Sequence, residues 1–315
     1  MDKPKYYDDL IELDIAKKDL DKYEIVESSD HRYSMTTDGL DEGARTYVYN
    51  GWDAKEGLEV KLKMPYYWDC PERRVVDDVD LFKQFLDEAW ILQHVKHPNV
   101  ARLVDYTVAN IHDHYVPVVV MENVKGDNLR FMNRDELNSW SVKDQRTFLD
   151  GIANGIDAIH NSGLIHGDLG PRAIIVGKDL GDSKVIDFGS AKVSSITRDR
   201  GEYWYTGGFT PPSVLSGKDW TVSDEVWSFA VTAHYVLNGG NFPYGYSSDP
   251  DLIDSYVETP SNLIKFADYD DYVEKYGKEK AKLLDQLFRK ILNKRDKSFD
   301  SCIKVAEEIF NILEG

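Results

Sequence analysis

Hydrophobic and polar positions follow two rhythms along this chain. In Arg32-Tyr33-Ser34-Met35, Thr46-Tyr47-Val48-Tyr49 and Leu58-Glu59-Val60-Lys61-Leu62-Lys63 they alternate, which predicts three short strands, because successive strand residues face opposite sides. Apolar runs at residues 100–104 and 115–121 predict two more, and the second, nearly all apolar, is expected to be buried. Helical spacing takes over at Leu81, Phe82, Phe85, Leu86, Ala89, Ile91 and Leu92, and again over residues 142–161, where Phe148, Leu149, Ile152, Ile156 and Ile159 recur. Two further helices are expected around 283–292 and 303–313. Residues 1–30 carry a weaker helical pattern (Leu10, Ile11, Leu13, Ile15, Leu20) among Asp and Lys. They read as an N-terminal extension, either a helix on the outside of the first part or a flexible tail.

Composition narrows the classes. An apolar content of 42% is ordinary for a globular protein, and the run at 115–121 is far too short to cross a bilayer, so a soluble protein with no membrane role is expected. Met1-Asp2-Lys3-Pro4-Lys5 carries charges where a secretory signal needs an apolar core, which points to the cytoplasm. Cys70 and Cys302 lie far apart and suggest neither a disulfide framework nor a zinc site. A formal charge of −18 repels polyanions, so nucleic acid is not an expected partner.

Chemistry concentrates in Ile165-His166-Gly167-Asp168-Leu169-Gly170-Pro171-Arg172-Ala173 and Lys184-Val185-Ile186-Asp187-Phe188-Gly189. Two aspartates stand on separate turns, fenced by strand-type apolar residues and by glycines where the chain bends. Such turns can hold two carboxylates at one spot. Phosphoryl transfer from a nucleotide requires such a pair, one to orient an attacking hydroxyl and one to hold the metal that neutralises the phosphates. The stretches resemble the catalytic loop (H-R-D-L-x-x-x-N) and metal loop (D-F-G) of eukaryotic-type protein kinases. Ser223-Asp224-Glu225-Val226-Trp227-Ser228-Phe229-Ala230 is similar to a further family helix, with Glu225 in the register of an aspartate that ties down the catalytic loop. The resemblance covers roughly residues 33–313.

The resemblance implies an α+β, bilobal kinase-like fold: an N-terminal extension (1–30), an N-lobe (31–122) of small β-sheet with one main helix, and a mostly helical C-lobe (123–315). It implies ATP as cofactor with Mg2+ or Mn2+, and a protein substrate or binding partner. Asp168 would be the catalytic base and Asp187 the metal ligand. Lys63, in the position of the V-A-I-K lysine, would meet the phosphates, held by Glu88 on the helix before His97-Pro98-Asn99-Val100, with Lys61 the alternative on the same strand face. Gly43 and Val48 would belong to the glycine loop, and Met121 would be the gatekeeper before Glu122 and Val124, which grip the adenine.

Departures from the pattern bear on activity. Asp41 and Thr46 replace two glycines of the glycine loop; Gly170 replaces a lysine; Ala173 replaces the asparagine that ligates a second metal. Gly167 stands where an arginine usually anchors a phosphorylated activation segment. Thr206-Gly207-Gly208-Phe209-Thr210-Pro211-Pro212-Ser213 resembles the end of that segment in serine/threonine kinases; Thr206 is kept, Ser213 replaces the closing glutamate, and Lys297 stands near its arginine partner's place. The favoured reading is an ATP-binding, Ser/Thr-type phosphotransferase with impaired or single-metal catalysis. A pseudokinase acting as a binding scaffold or allosteric regulator is the alternative. A small-molecule phosphotransferase, similar to aminoglycoside and choline kinases, comes last because the activation segment and the Trp227 helix belong to protein kinases.

Overall fold

The computed structural model describes residues 32–42, 46–65, 79–111, 114–194, 206–243, 269–293 and 297–315. The 1–30 extension, Gly43 and Cys70 lie outside them. The chain divides into two compact units: the described residues up to Lys96 with Ala101–Asn123, and His97–Val100 with the described residues from Val124 to Gly315.

The first unit is an antiparallel sheet with one helix. Strands β1 (Tyr33–Glu42), β2 (Thr46–Asp53), β3 (Leu58–Pro65), β4 (Leu103–Ile111) and β5 (His114–Glu122) run in the order β1-β2-β3-β5-β4. Helix α1 (Val79–His94) packs on β4 and β5. The alternating pattern does what it predicts: Tyr47, Tyr49, Val60, Leu62, Met64, Val118 and Val120 fill one core with Tyr33 and Met35. On the other face, registers line up Val48, Lys63 and Val119, and beside them Asn50, Lys61 and Met121. A polar clip closes the end of the sheet. Arg32 makes a two-bonded pair with Asp53 (2.9 and 2.7 Å) and a third bond to Asp105 (3.0 Å), which also accepts from the Tyr33 hydroxyl at 2.9 Å. The guanidinium and two backbone amides hold the buried Asp53 carboxyl below its usual range against the opposing effect of burial.

The strand expected at 100–104 is divided. Val100 forms an isolated bridge with Val185 in the second unit, and β4 begins only at Leu103. The cause is Asn99, whose buried amide donates to the Gly181 and Ser183 carbonyls at 2.8 and 2.9 Å and pulls this stretch into the second unit.

That unit is mainly helical: α2 (Arg134–Ser139), α3 (Val142–Asn161), α4 (Pro212–Leu215), α5 (Val222–Leu237), α6 (Tyr269–Tyr276), α7 (Lys278–Leu292) and α8 (Cys302–Glu314). Short strands β6 (Gly126–Asn128), β8 (Ile174–Gly177) and β9 (Lys184–Val185) form one sheet, and β7 (Leu164–Ile165) pairs with β10 (Lys192–Val193). Helix α3 starts at a capping box of Ser141 and Asp144, and its Gly151 and Gly155 are small because Asn99 lies against them: a Cβ at either would sit 2.9 or 2.8 Å from Asn99 atoms. Helix α5, capped by Thr221 and Asp224, is buried on nearly every face, with the polar side chains of Glu225, Ser228, Thr232 and His234 among the residues it buries. The fold is thus α+β, as expected. Helix α7 begins earlier than the apolar spacing alone indicated, because its first turn, Lys278-Glu279-Lys280, faces largely outward.

Candidate active site

In the first unit, β3 and α1 bring Lys63 and Glu88 together. Lys63 Nζ donates to Glu88 Oε1 at 2.8 Å, and the side chains are only 5% and 2% exposed. Two lysines share one strand face, and the structure gives them different partners, as the choice of Lys63 over Lys61 expected. Lys61 reaches across to Asn50 Oδ1 at 2.6 Å, whereas Lys63 has the buried carboxylate. Such a pair persists in low dielectric only because each charge compensates the other. Val48 lies directly opposite Lys63 on β2. Met121, buried near the end of β5, lies opposite Lys61; the next residue, Glu122, bonds Arg102 through its backbone N–H (3.0 Å) and its carboxylate (2.7 Å). The division between units falls just before Val124.

In the second unit, the turn after β7 carries Asp168 and the turn after β9 carries Asp187. His166 joins the two turns. Its fully buried ring bonds the Ile186 carbonyl through Nε2 (2.9 Å), accepts from the Asp168 amide at Nδ1 (3.3 Å) and meets Phe188 edge-on. Those partners assign the proton to Nε2. Asp168 Oδ1 accepts from both the Thr206 hydroxyl (2.8 Å) and the Thr206 amide (3.1 Å). Withdrawal from water pushes the Asp168 carboxyl up to about 6, the Thr206 hydroxyl opposes this, and nearby Asp187 adds to it. Asp187 is the one non-glycine with positive φ (64°) among the described residues, and its exposed carboxylate faces outward from a turn that Gly189 closes.

The turn that carries Asp168 is held by α5. Glu225, fully buried on α5, accepts from the Gly167 amide and meets His160 Nε2 at 2.7 Å. Burial alone would raise its carboxyl, but the His160 ring and the Gly167 amide keep it below the usual range. Gly167 itself has φ 81°, and a Cβ there would come within 2.6 Å of the Ser190 carbonyl oxygen. The missing arginine is therefore a steric necessity of this loop.

Two other departures acquire causes. Phe209, packed with Phe242 and Tyr235, lies against Gly170 so closely that a Cβ there would be 3.1 Å from its ring. Restoring a lysine at 170 thus requires Phe209 to move. Ser213 donates to Asp224 at the start of α5, and Lys297 is exposed. Ala173 is buried, its methyl unable to ligate anything, while Arg172 is exposed. His160 and Phe209 were missed as functional positions; the signal available was only their spacing from the glycines they serve.

Among the described residues no three His, Cys, Asp or Glu side chains cluster to hold a metal ion. One outward carboxylate near a second is a donor set that suits magnesium, a hard cation that keeps several waters and shares phosphate oxygens. The residues present fit one such ion at Asp187.

Comparison with known proteins agrees with this arrangement. The protein kinase domain family matches residues 37–306. Calcium/calmodulin-dependent protein kinase type 1B of Rattus norvegicus is 29% identical over 170 residues, 53% of this chain and 47% of that protein. CBL-interacting protein kinase 11 of Oryza sativa subsp. japonica is 29% identical over 221 residues, covering 69% and 41%. Ephrin type-A receptor 8 of Homo sapiens is 28% identical over 181 residues, covering 56% and 17%. The match thus spans less than half the length of these relatives. With 37–306 matched and both aspartate turns in place, the chain belongs to the eukaryotic-type protein kinase family.

Proposed function

We propose that this protein binds ATP and transfers its terminal phosphoryl group to a serine or threonine hydroxyl of a protein, slowly and with a single metal ion. The observation that carries the reading is the Asp168 carboxylate, fixed by the hydroxyl and amide of Thr206. So held, it can accept a hydrogen bond from a substrate hydroxyl and take its proton as transfer proceeds. Lys63, kept in place by Glu88, binds phosphate oxygens. Asp187 holds the magnesium or manganese ion, which neutralises charge on the phosphates when bound. Met121, Glu122 and Val124 receive the adenine, and Val48, opposite Lys63, lies over the phosphates. Weak turnover follows from Ala173 and Gly170, which supply neither the second metal ligand nor a cation beside the transferred group.

The test measures nucleotide binding by thermal shift with magnesium and with manganese, then radiolabelled transfer to a generic protein substrate. Expected are binding with either metal, weak transfer, a rise of roughly 10- to 100-fold in Ala173→Asn, and none in Asp168→Asn. The second reading, a pseudokinase scaffold, is favoured by the same Ala173. It replaces the first if Ala173→Asn folds, binds ATP and metal, and stays silent. A wild type that binds no nucleotide at millimolar concentration also rejects the first reading.

A further inference from the structure

Two lysines are buried among the described residues. Lys63 belongs to the site above; Lys192 has no part in it. Lys192 opens β10, shortly after the Asp187 turn, and pairs with Ile165, the residue before His166. Its Nζ donates to Asp219 Oδ1 at 3.3 Å, with the lysine side chain 7% exposed and the aspartate 32%. Asp219 lies in the connection between α4 and α5, next to Trp220, which is buried against Ile165 and Val214. One ionic and one apolar tie therefore hold the paired strands β7 and β10 to the connection that enters α5: Lys192 of β10 through Asp219, and Ile165 of β7 through Trp220.

The alternative anchor is absent for a physical reason. Gly167 offers no side chain, and the Ser190 carbonyl leaves no room for a Cβ. In the second unit, the buried lysine of the described residues already has an internal carboxylate. We propose that the Lys192–Asp219 pair holds the stretch from Phe188 to Ser194 in its folded arrangement, doing so without any phosphorylated residue. Lys192 and Asp219 are then positioning residues: they act on transfer only by fixing the chain that carries Asp187, which rests on the kinase reading above. An ammonium withdrawn from water is tolerable only while its carboxylate stays, so neutralising Asp219 alone leaves an uncompensated charge and opens β10. Neutralising both removes the charge that needs compensation.

Hydrogen exchange read by mass spectrometry on the phosphatase-treated full chain tests this. In Asp219→Asn, exchange over residues 188–194 is expected to rise at least about tenfold, with α3 unchanged. The double variant Lys192→Met with Asp219→Asn has no stranded charge and reports the loss of the tie alone, so its exchange over residues 188–194 is expected to stay at least about threefold above wild type, and wild-type exchange there overturns the proposal. Phosphatase treatment of the wild type is expected to change nothing there. Unchanged exchange in Asp219→Asn overturns the proposal, as does faster wild-type exchange after phosphatase. If Asp219→Asn fails to fold, the double variant decides: a folded double variant with raised exchange over residues 188–194 supports the pair, and one with wild-type exchange overturns it. Radiolabelled transfer separates the two readings. A silent wild type rejects the proposed function while the exchange result still decides the pair.

Discussion

Replacing Gly167 by arginine would restore the residue usual in the family, and the structure says it will destabilise. Gly167 has φ 81°, a left-handed conformation costing a residue with a side chain about 1–2 kcal/mol. A Cβ would also lie 2.6 Å from the Ser190 backbone oxygen, a contact no rotamer relieves. Neither side yields easily, because the Gly167 amide bonds the buried Glu225 and the turn at Ser190 is closed by the Ala191 N–H to the Phe188 carbonyl at 2.9 Å. Overpacking of that kind adds about 1–3 kcal/mol. The sum, about 2–5 kcal/mol, corresponds to a fall in Tm of about 4–10 °C for a protein of this size. Gly217 supplies the control, since its φ is 86° but nothing lies within 4 Å of a Cβ there. Urea and thermal denaturation of Gly167→Ala, Gly167→Arg and Gly217→Ala should show the first two alike and Gly217→Ala losing only the conformational part. A Gly167→Ala variant no less stable than Gly217→Ala would refute the clash, and with it the steric account of the missing arginine.

The pH dependence of transfer should show a limb near 6, rising with pH as Asp168 ionises; Thr206→Val removes the hydroxyl bond that favours the carboxylate and should move the limb up by about one pH unit. An unmoved limb would mean another group titrates. His234, buried between Tyr272 and Phe288, is held down to about 3 by burial, so its stabilising neutral form counts fully above its ordinary range near 6.5 and is lost as pH falls below that. His234→Phe should cost about 1 kcal/mol at pH 7 through the lost bond to the Asn241 carbonyl, yet gain about 2 kcal/mol relative to wild type between pH 6.5 and 5; parallel stability curves would contradict this. Lys63→Met should destabilise the first unit by about 3 kcal/mol by stranding Glu88, and adding Glu88→Leu should recover most of it; additive losses in that double-mutant cycle would show that the pair is not coupled.

Period-two alternation placed Lys61 and Lys63 on one strand face, and helical spacing placed Glu88 on α1, since both periodicities are properties of the local backbone. Motif spacing likewise located both aspartate turns and the register of Glu225. Motif register also favoured Lys63 over Lys61 and named Glu88; the contact between them, across 25 residues of chain, comes only from the packing of α1 on the sheet. The divided strand at Val100 depends on carbonyls at Gly181 and Ser183, and the small residues Gly151 and Gly155 depend on Asn99 arriving from another part of the chain. At Gly167 and Gly170 the sequence alone reads as lost function. The structure reads both as filled space, one met by the Ser190 carbonyl and the other by Phe209, because a glycine's reason is what touches it, and those contacts are made only once distant segments have packed.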